Sequence, residues 1–95
     1  MSYSEKYVEQ KLVTEAKKMG GLAVKFVSPG LDGVPDRLVL LPGGKLAFVE
    51  LKAPGKKMRP LQIHRAKQLT ALGFRVYCAD RKELIGGILD EIQGT

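Results

Sequence analysis

The stretch Lys-Leu-Ala-Phe-Val-Glu-Leu-Lys at residues 45 to 52 constrains the fold more than any other part of the chain. It is rich in β-branched and aromatic residues and opens through Pro42-Gly43-Gly44, so it reads as a β-strand. Side chains alternate along a strand, which sends Leu46 and Phe48 one way and Ala47, Val49 and Leu51 the other. Both sets are apolar. A strand buried on both sides demands helices over both faces of its sheet. Glu50 and Lys52 share one face at the strand's end, where a carboxylate and an ammonium are costly without a partner or a task.

The rest of the chain supplies the surrounding elements. Residues 4 to about 19 read as an amphipathic helix, with Val8, Leu12, Ala16 and Met19 on one stripe and Gly20-Gly21 ending it. Leu22 to Val27 read as a first strand, and Ser28 to Gly33 as a loop by turn chemistry. Asp36 to Leu41 form a second strand that Pro42-Gly43-Gly44 joins to the third. Ala53 to Arg59 is a basic loop, and Pro60 suits the first turn of a helix reaching about Leu72. On that helix Gln62, Ala66 and Leu69 share the inward stripe. Phe74 to Ala79 give a fourth strand, and a last helix from Asp80 or Arg81 carries Leu84, Ile85, Ile88, Leu89 and Ile92, weakened by Gly86-Gly87. The order is αβββαβα: an α/β fold with a mixed central sheet flanked by helices.

Ninety-five residues make one small domain, 1-95, with a single core. No apolar run approaches the roughly 20 residues that span a bilayer, and the first residues lack the pattern of a secretory signal. Cys78 is the only cysteine. A cytoplasmic, reducing location is therefore expected, with Cys78 a buried structural thiol in the fourth strand rather than a nucleophile. His64, the sole histidine, reads as a solvated helix residue. One Cys and one His exclude zinc sites and classical triads. No phosphate-loop motif occurs; Gly43-Gly44-Lys45 is hairpin chemistry. The formal net charge of +6 favours polyanionic partners, and Lys52, Lys56, Lys57 and Arg59 concentrate that charge beside the Glu50 strand.

Pairing of the second and third strands brings Asp36, which follows Gly-Val-Pro, within reach of Glu50. Two carboxylates and a lysine at one point are the equipment for holding a divalent cation against a phosphate. The bland reading is an ordinary Lys–Glu pair at a strand end. The segment GVPDRLVLLPGGKLAFVELKAPGKKMRPLQ, with Asp36, Glu50 and Lys52, resembles the PD-(D/E)XK nuclease superfamily, and its fuller phrase resembles the stand-alone, phage-like VRR-NUC (virus-type replication-repair nuclease) domain. The likeness runs from about Glu5 to Asp80.

That resemblance implies a restriction-endonuclease-like core and a DNA endonuclease dependent on Mg²⁺ or Mn²⁺, acting on branched DNA such as four-way junctions. It implies Asp36 and Glu50 as metal ligands with the backbone carbonyl of Leu51 as a third. Lys52 would orient or deprotonate the attacking water or stabilise charge on the phosphate; Gln62 would position the lysine or the water. Glu9, within Val8-Glu9-Gln10-Lys11-Leu12-Val13, would be the helix glutamate at the metal site, binding through water or completing a second position. Glu5 is the fallback and Glu15 a weaker one, and a helix-flank carboxylate paired with a lysine is the ordinary alternative. Lys25, Arg37, Lys56, Lys57 and Arg59 are candidates for backbone phosphate contacts. A phage or prophage-like origin fits the likeness.

Two other classes compete: a non-catalytic basic nucleic-acid-binding module, and a small interaction protein without nucleic acid. The carboxylates argue against the first, since they repel phosphate. A C₂ homodimer is expected, because one site cuts one strand and a junction needs two symmetric cuts. Tyr3, Tyr7, Leu31 and the last helix offer apolar surface for pairing, though that helix equally suits covering the sheet.

Overall fold

A computed structural model gives the fold of residues 4–95; Tyr3, one of the surplus apolar residues, lies outside the described residues. The elements are α1 (Glu5–Lys18), β1 (Leu22–Lys25), β2 (Arg37–Leu41), β3 (Lys45–Leu51), α2 (Pro60–Ala71), β4 (Val76–Ala79), a 3₁₀ turn (Lys82–Leu84) and α3 (Ile85–Gln93). The sheet order is β1-β2-β3-β4. The first two pairings are antiparallel, and β3 and β4 run parallel with α2 as the crossover. This is the mixed, helix-flanked αβββαβα arrangement that the sequence implies.

Local chemistry sets the helix limits. Ser4 caps α1 by accepting the Tyr7 amide at 3.2 Å. Gly20 ends the helix at φ 83°, with the Gly21 amide donating to the Ala16 carbonyl at 2.9 Å. Pro60 opens α2, and Gln62 Oε1 accepts the Arg59 amide at 2.8 Å, satisfying one N-terminal donor.

The two sheet faces are packed unequally. Ala23, Val39, Leu41, Ala47, Val49, Leu51 and Ala79 meet Val8, Leu12 and Ala16 of α1 and Ile85, Leu89 and Ile92 of α3 in one cluster. The other face carries Phe48, whose ring lies 5.3 Å from that of Phe26 and 5.9 Å, edge on, from that of Phe74. It also carries α2, whose one buried residue is Gln62.

Several expectations change. Cys78 is exposed, not buried, because β4 is an edge strand and Cys78 lies on its sparsely covered face. Leu84 stays exposed in the 3₁₀ turn, and α3 starts only at Ile85. Its helix forms despite Gly86 and Gly87, because Ile85, Leu89 and Ile92 are 0%, 1% and 0% exposed against the core. Those side chains cover the sheet. His64 is exposed, as a solvated histidine should be. Among the described residues no helix is long and apolar enough to cross a membrane.

Leu89→Ala should therefore lower the unfolding free energy by about 2–5 kcal/mol. Leu72→Ala, at a site 73% exposed beyond α2, should change it by less than about 0.5 kcal/mol. Urea titrations followed by circular dichroism check both; equal effects would mean that the core is misassigned.

Candidate active site

The site forms where β2 begins and β3 ends. Pro35, buried, delivers the chain to Asp36, immediately before β2. The register pairs Arg37 with Val49, so Asp36 lies opposite Glu50. Side chains replace the ladder there. The Asp36 amide donates to Glu50 Oε1 at 3.1 Å, and the Leu51 amide donates to Asp36 Oδ2 at 2.9 Å. An extended residue turns its N–H and C=O toward the same neighbouring strand, so the Leu51 carbonyl also faces the Asp36 side.

Glu50 is fully buried. Its Oε2 has no hydrogen-bond partner, and Lys52 Nζ stands 3.7 Å away, close enough to pair but too far to bond. Burial pushes its carboxyl up to about 8, the Asp36 carboxyl adds to the rise by hydrogen bond and by charge, and the Lys52 ammonium opposes it. The pair thus keeps a proton to higher pH than a free carboxyl does. A buried, unsatisfied carboxylate oxygen facing a second carboxylate is what a cation fits: Asp36 and Glu50, with the Leu51 carbonyl beside them, could hold a hard divalent cation through oxygen alone. Among the described residues no three His, Cys, Asp or Glu side chains converge on one point.

The other sequence candidates fall in different places. Glu9 Oε2 accepts Arg37 Nε at 2.9 Å, and Arg37 Nη1 donates to the Ala23 carbonyl at 2.9 Å. Arg37 sits in register with Val49, on the α1 face, whereas Glu50 lies on the α2 face. The structure therefore brings Asp36, Glu50 and Lys52 together and places Glu9 with Arg37 instead. Glu5 is exposed in the first turn of α1. Glu15 pairs with Lys18 at 3.0 Å and Lys11 at 3.4 Å, the ordinary helix arrangement, and Lys18 chiefly holds its carboxyl below the usual range. Gln62 is buried, its amide oxygen committed to the Arg59 amide.

Lys56, Lys57 and Arg59 are exposed on the loop after β3, and Lys25 is exposed on β1. Sequence reasoning missed Asp80, whose Oδ2 accepts the Gly55 amide at 3.3 Å and anchors that basic loop. It also missed the clamp that Arg37 makes between α1 and β1. Nothing in the pattern of an isolated Asp or Arg would have marked either.

A mixed four-stranded sheet with carboxylates and a lysine at the β2–β3 junction defines a restriction-endonuclease-like α/β domain. The chain matches no family model. Over 80 residues it is 54% identical to "Putative nuclease p44" of Acyrthosiphon pisum secondary endosymbiont phage 1, covering 84% of this chain and 86% of that protein. A solved VRR_NUC domain superposes with a TM-score of 0.84 at 28% identity, covering 90% of this chain and 94% of that one. The chain belongs to the VRR-NUC family of the PD-(D/E)XK superfamily.

The raised Glu50 carboxyl fixes a pH dependence. In metal-free protein the folded state keeps a proton that the unfolded chain, near 4.5, releases. Its contribution to stability is complete below about 4.5 and is lost as pH rises through about 8. Unfolding free energies at acid, neutral and alkaline pH in the presence of chelator should fall across that window. Glu50→Gln, which keeps the shape without the ionisation, should flatten the fall; an unchanged slope would remove Glu50 as its source.

Proposed function

We propose that this chain is a divalent-metal-dependent DNA endonuclease. The observation that carries the reading is the buried Glu50 Oε2, without a hydrogen bond, beside Asp36 and 3.7 Å from Lys52. Asp36, Glu50 and the Leu51 carbonyl are the ligands. A bound Mg²⁺ or Mn²⁺ supplies charge neutralisation at the phosphate and acidifies water.

The chain's own residues do the rest. Lys52, kept beside Glu50 and largely shielded from solvent, orients the attacking water and offsets charge developing on the phosphate. Gln62 has its oxygen bound to the Arg59 amide, so its NH₂ group is what it offers to a ligand. Two donors suit a water or a phosphate oxygen and not a lysine ammonium, which has no acceptor. Lys56, Lys57 and Arg59 bind the DNA backbone, whereas Lys25, in register with Arg37, lies on the α1 face away from that loop.

The preferred substrate is branched DNA, four-way junctions among them, cut by a C₂ homodimer that presents two sites. The exposed apolar residues available for pairing include Leu31, Leu61 and Ile63 at and around α2, together with Tyr7 on α1 and Leu22 on β1. A purely DNA-binding module is disfavoured, because a binder gains nothing from carboxylates that repel phosphate.

Nicking of supercoiled plasmid and incision of synthetic junctions with Mg²⁺ or Mn²⁺ test the reading. Asp36→Asn should abolish cleavage while DNA binding persists. It should also erase the thermal stabilisation by metal, worth about 2.7 kcal/mol at a hundredfold excess over Kd. Metal-independent cutting by Asp36→Asn would refute the assignment. Neutralising Lys56, Lys57 and Arg59 together should weaken binding to all sequences alike and shallow the log–log salt slope by about 0.9 for each phosphate no longer neutralised. A weakening confined to one sequence would mean that the loop reads bases. Light scattering across a concentration series should give twice the chain mass, and a single-chain mass at every concentration would rule out the dimer.

A further inference from the structure

The start of β2 is tied down from both faces of the sheet. On one face the Asp36 carboxylate accepts the Leu51 amide and the Asp36 amide donates to Glu50. On the other face the very next residue, Arg37, is held by Glu9 of α1 and by the Ala23 carbonyl of β1, each at 2.9 Å. The Asp36 carbonyl itself accepts the Phe26 amide at 2.9 Å. The planar peptide between Asp36 and Arg37 ties the Asp36 Cα and carbonyl to the Arg37 nitrogen, and ladder bonds hold both residues in register. A shift of the Arg37 backbone therefore carries Asp36 with it.

The Glu9–Arg37 pair is well placed for this. Its side chains are 27% and 14% exposed, so solvent screens it less than a surface pair. Nε is the inner nitrogen of the guanidinium, and its bond to a helix carboxylate fixes the plane of the group. With Nε on Glu9 and Nη1 on Ala23, Arg37 spans α1 and β1 while its backbone sits in the β2 ladder.

We propose that Glu9 is a positioning residue: acting through Arg37, it fixes the Asp36 carboxylate against the Leu51 amide and so shapes the cation site without touching the cation. This rests on the endonuclease reading for its consequence, but its physical core is a coupling within the protein. The supporting contrast is that Glu9 Oε2 is already engaged by Arg37, whereas Glu50 Oε2 has no hydrogen bond.

The test uses the full chain with Glu9→Ala and Glu9→Gln, since a glutamine oxygen still accepts from Arg37 Nε. Backbone amide hydrogen exchange is read by NMR in metal-free, DNA-free protein. Glu9→Ala should lose protection at the Leu51 amide, bonded to Asp36, while the Lys52 amide, bonded to the Ala79 carbonyl, keeps its own. Glu9→Gln should retain both. Unchanged Leu51 protection in Glu9→Ala would overturn the coupling. If Glu9→Ala fails to fold, Glu9→Gln decides alone: loss of Leu51 protection in that variant overturns the proposal. In parallel, Glu9→Ala should lower kcat for nicking of supercoiled plasmid about 10-fold or more, with KM for DNA little changed, and Glu9→Gln should recover most of that activity. Calorimetry with Mn²⁺ alone separates the alternative: Glu9→Gln binding as weakly as Glu9→Ala would make Glu9 a direct ligand and sink the proposal. Wild-type protein that neither binds Mn²⁺ nor cuts DNA would refute the endonuclease reading, and the exchange data would still decide the coupling.

Discussion

A fully buried glutamate, held against an aspartate by two backbone amides, is the constraint to which the rest of the molecule answers. The Asp36 amide bonds Glu50 and the Leu51 amide bonds Asp36, so two carboxylates take over the last rung of the β2–β3 ladder. Placing Glu50 there leaves one oxygen without a hydrogen bond and lifts its carboxyl to about 8. Such an arrangement is a local loss of stability that something else must offset. The offset lies on the opposite face of the same strand, where Ala47, Val49 and Leu51 are sealed under α1 and α3. One strand thus carries the apolar core on one side and the strained chemistry on the other, and the two-residue period keeps them apart.

The unequal packing of the two faces follows from that division. The face of α1 and α3 is closed by aliphatic side chains with almost no exposure. The face of Glu50 has α2, a helix that buries a glutamine where an aliphatic residue would pack better. Gln62 is kept because its oxygen caps its own helix at Arg59, which satisfies part of the buried amide without any tertiary partner. The loop before β2 leans on the same helix: a Cβ at Gly33, where φ is 83°, would come within 2.8 Å of Leu61 Cγ and 3.0 Å of its carbonyl oxygen. Arg65 Nε reaches the Asp32 carbonyl at 2.6 Å. The second layer is therefore fixed at its N-terminal end, beside the site, and is thinly packed beyond it.

How much of this was legible in the sequence depended on whether the signal was local. Alternation in residues 45 to 52, the Pro-Gly-Gly hairpin and the paired glycines after α1 specify their elements through nearest-neighbour chemistry, and the structure follows them. Asp36 opposite Glu50 followed from the hairpin register once Pro42-Gly43-Gly44 was read as its loop. Properties set by the third dimension were less accessible. Cys78 occupies a strand of apolar character but falls on the open face of an edge strand, which alternation alone cannot distinguish from the closed one. Leu84 continues the apolar stripe of the last helix, yet the chain makes a 3₁₀ turn there before the helix begins. Glu9 borders the buried stripe of α1, as expected, but which face of the sheet that stripe meets decides whether it faces Glu50 or Arg37. No residue pattern states this.

Electrostatics then connects the site to its charged surroundings. Of the chain's excess of basic residues, Arg37 is consumed within the fold by Glu9, whereas Lys56, Lys57 and Arg59 remain exposed on the loop that Asp80 anchors. Two ionised carboxylates at the centre of that basic surface would repel the phosphate that the loop attracts. A proton held by the Asp36–Glu50 pair, together with the Lys52 ammonium, brings the three groups close to neutrality. A divalent cation bound by the pair would have to displace that proton, so its uptake would release H⁺ and strengthen as pH rises toward the raised Glu50 value. The same buried proton that stabilises the metal-free protein at low pH thus competes with the cation that the proposed chemistry requires. Activity should consequently rise with pH over the interval in which the metal-free protein weakens, which ties the function of the site to the cost of building it.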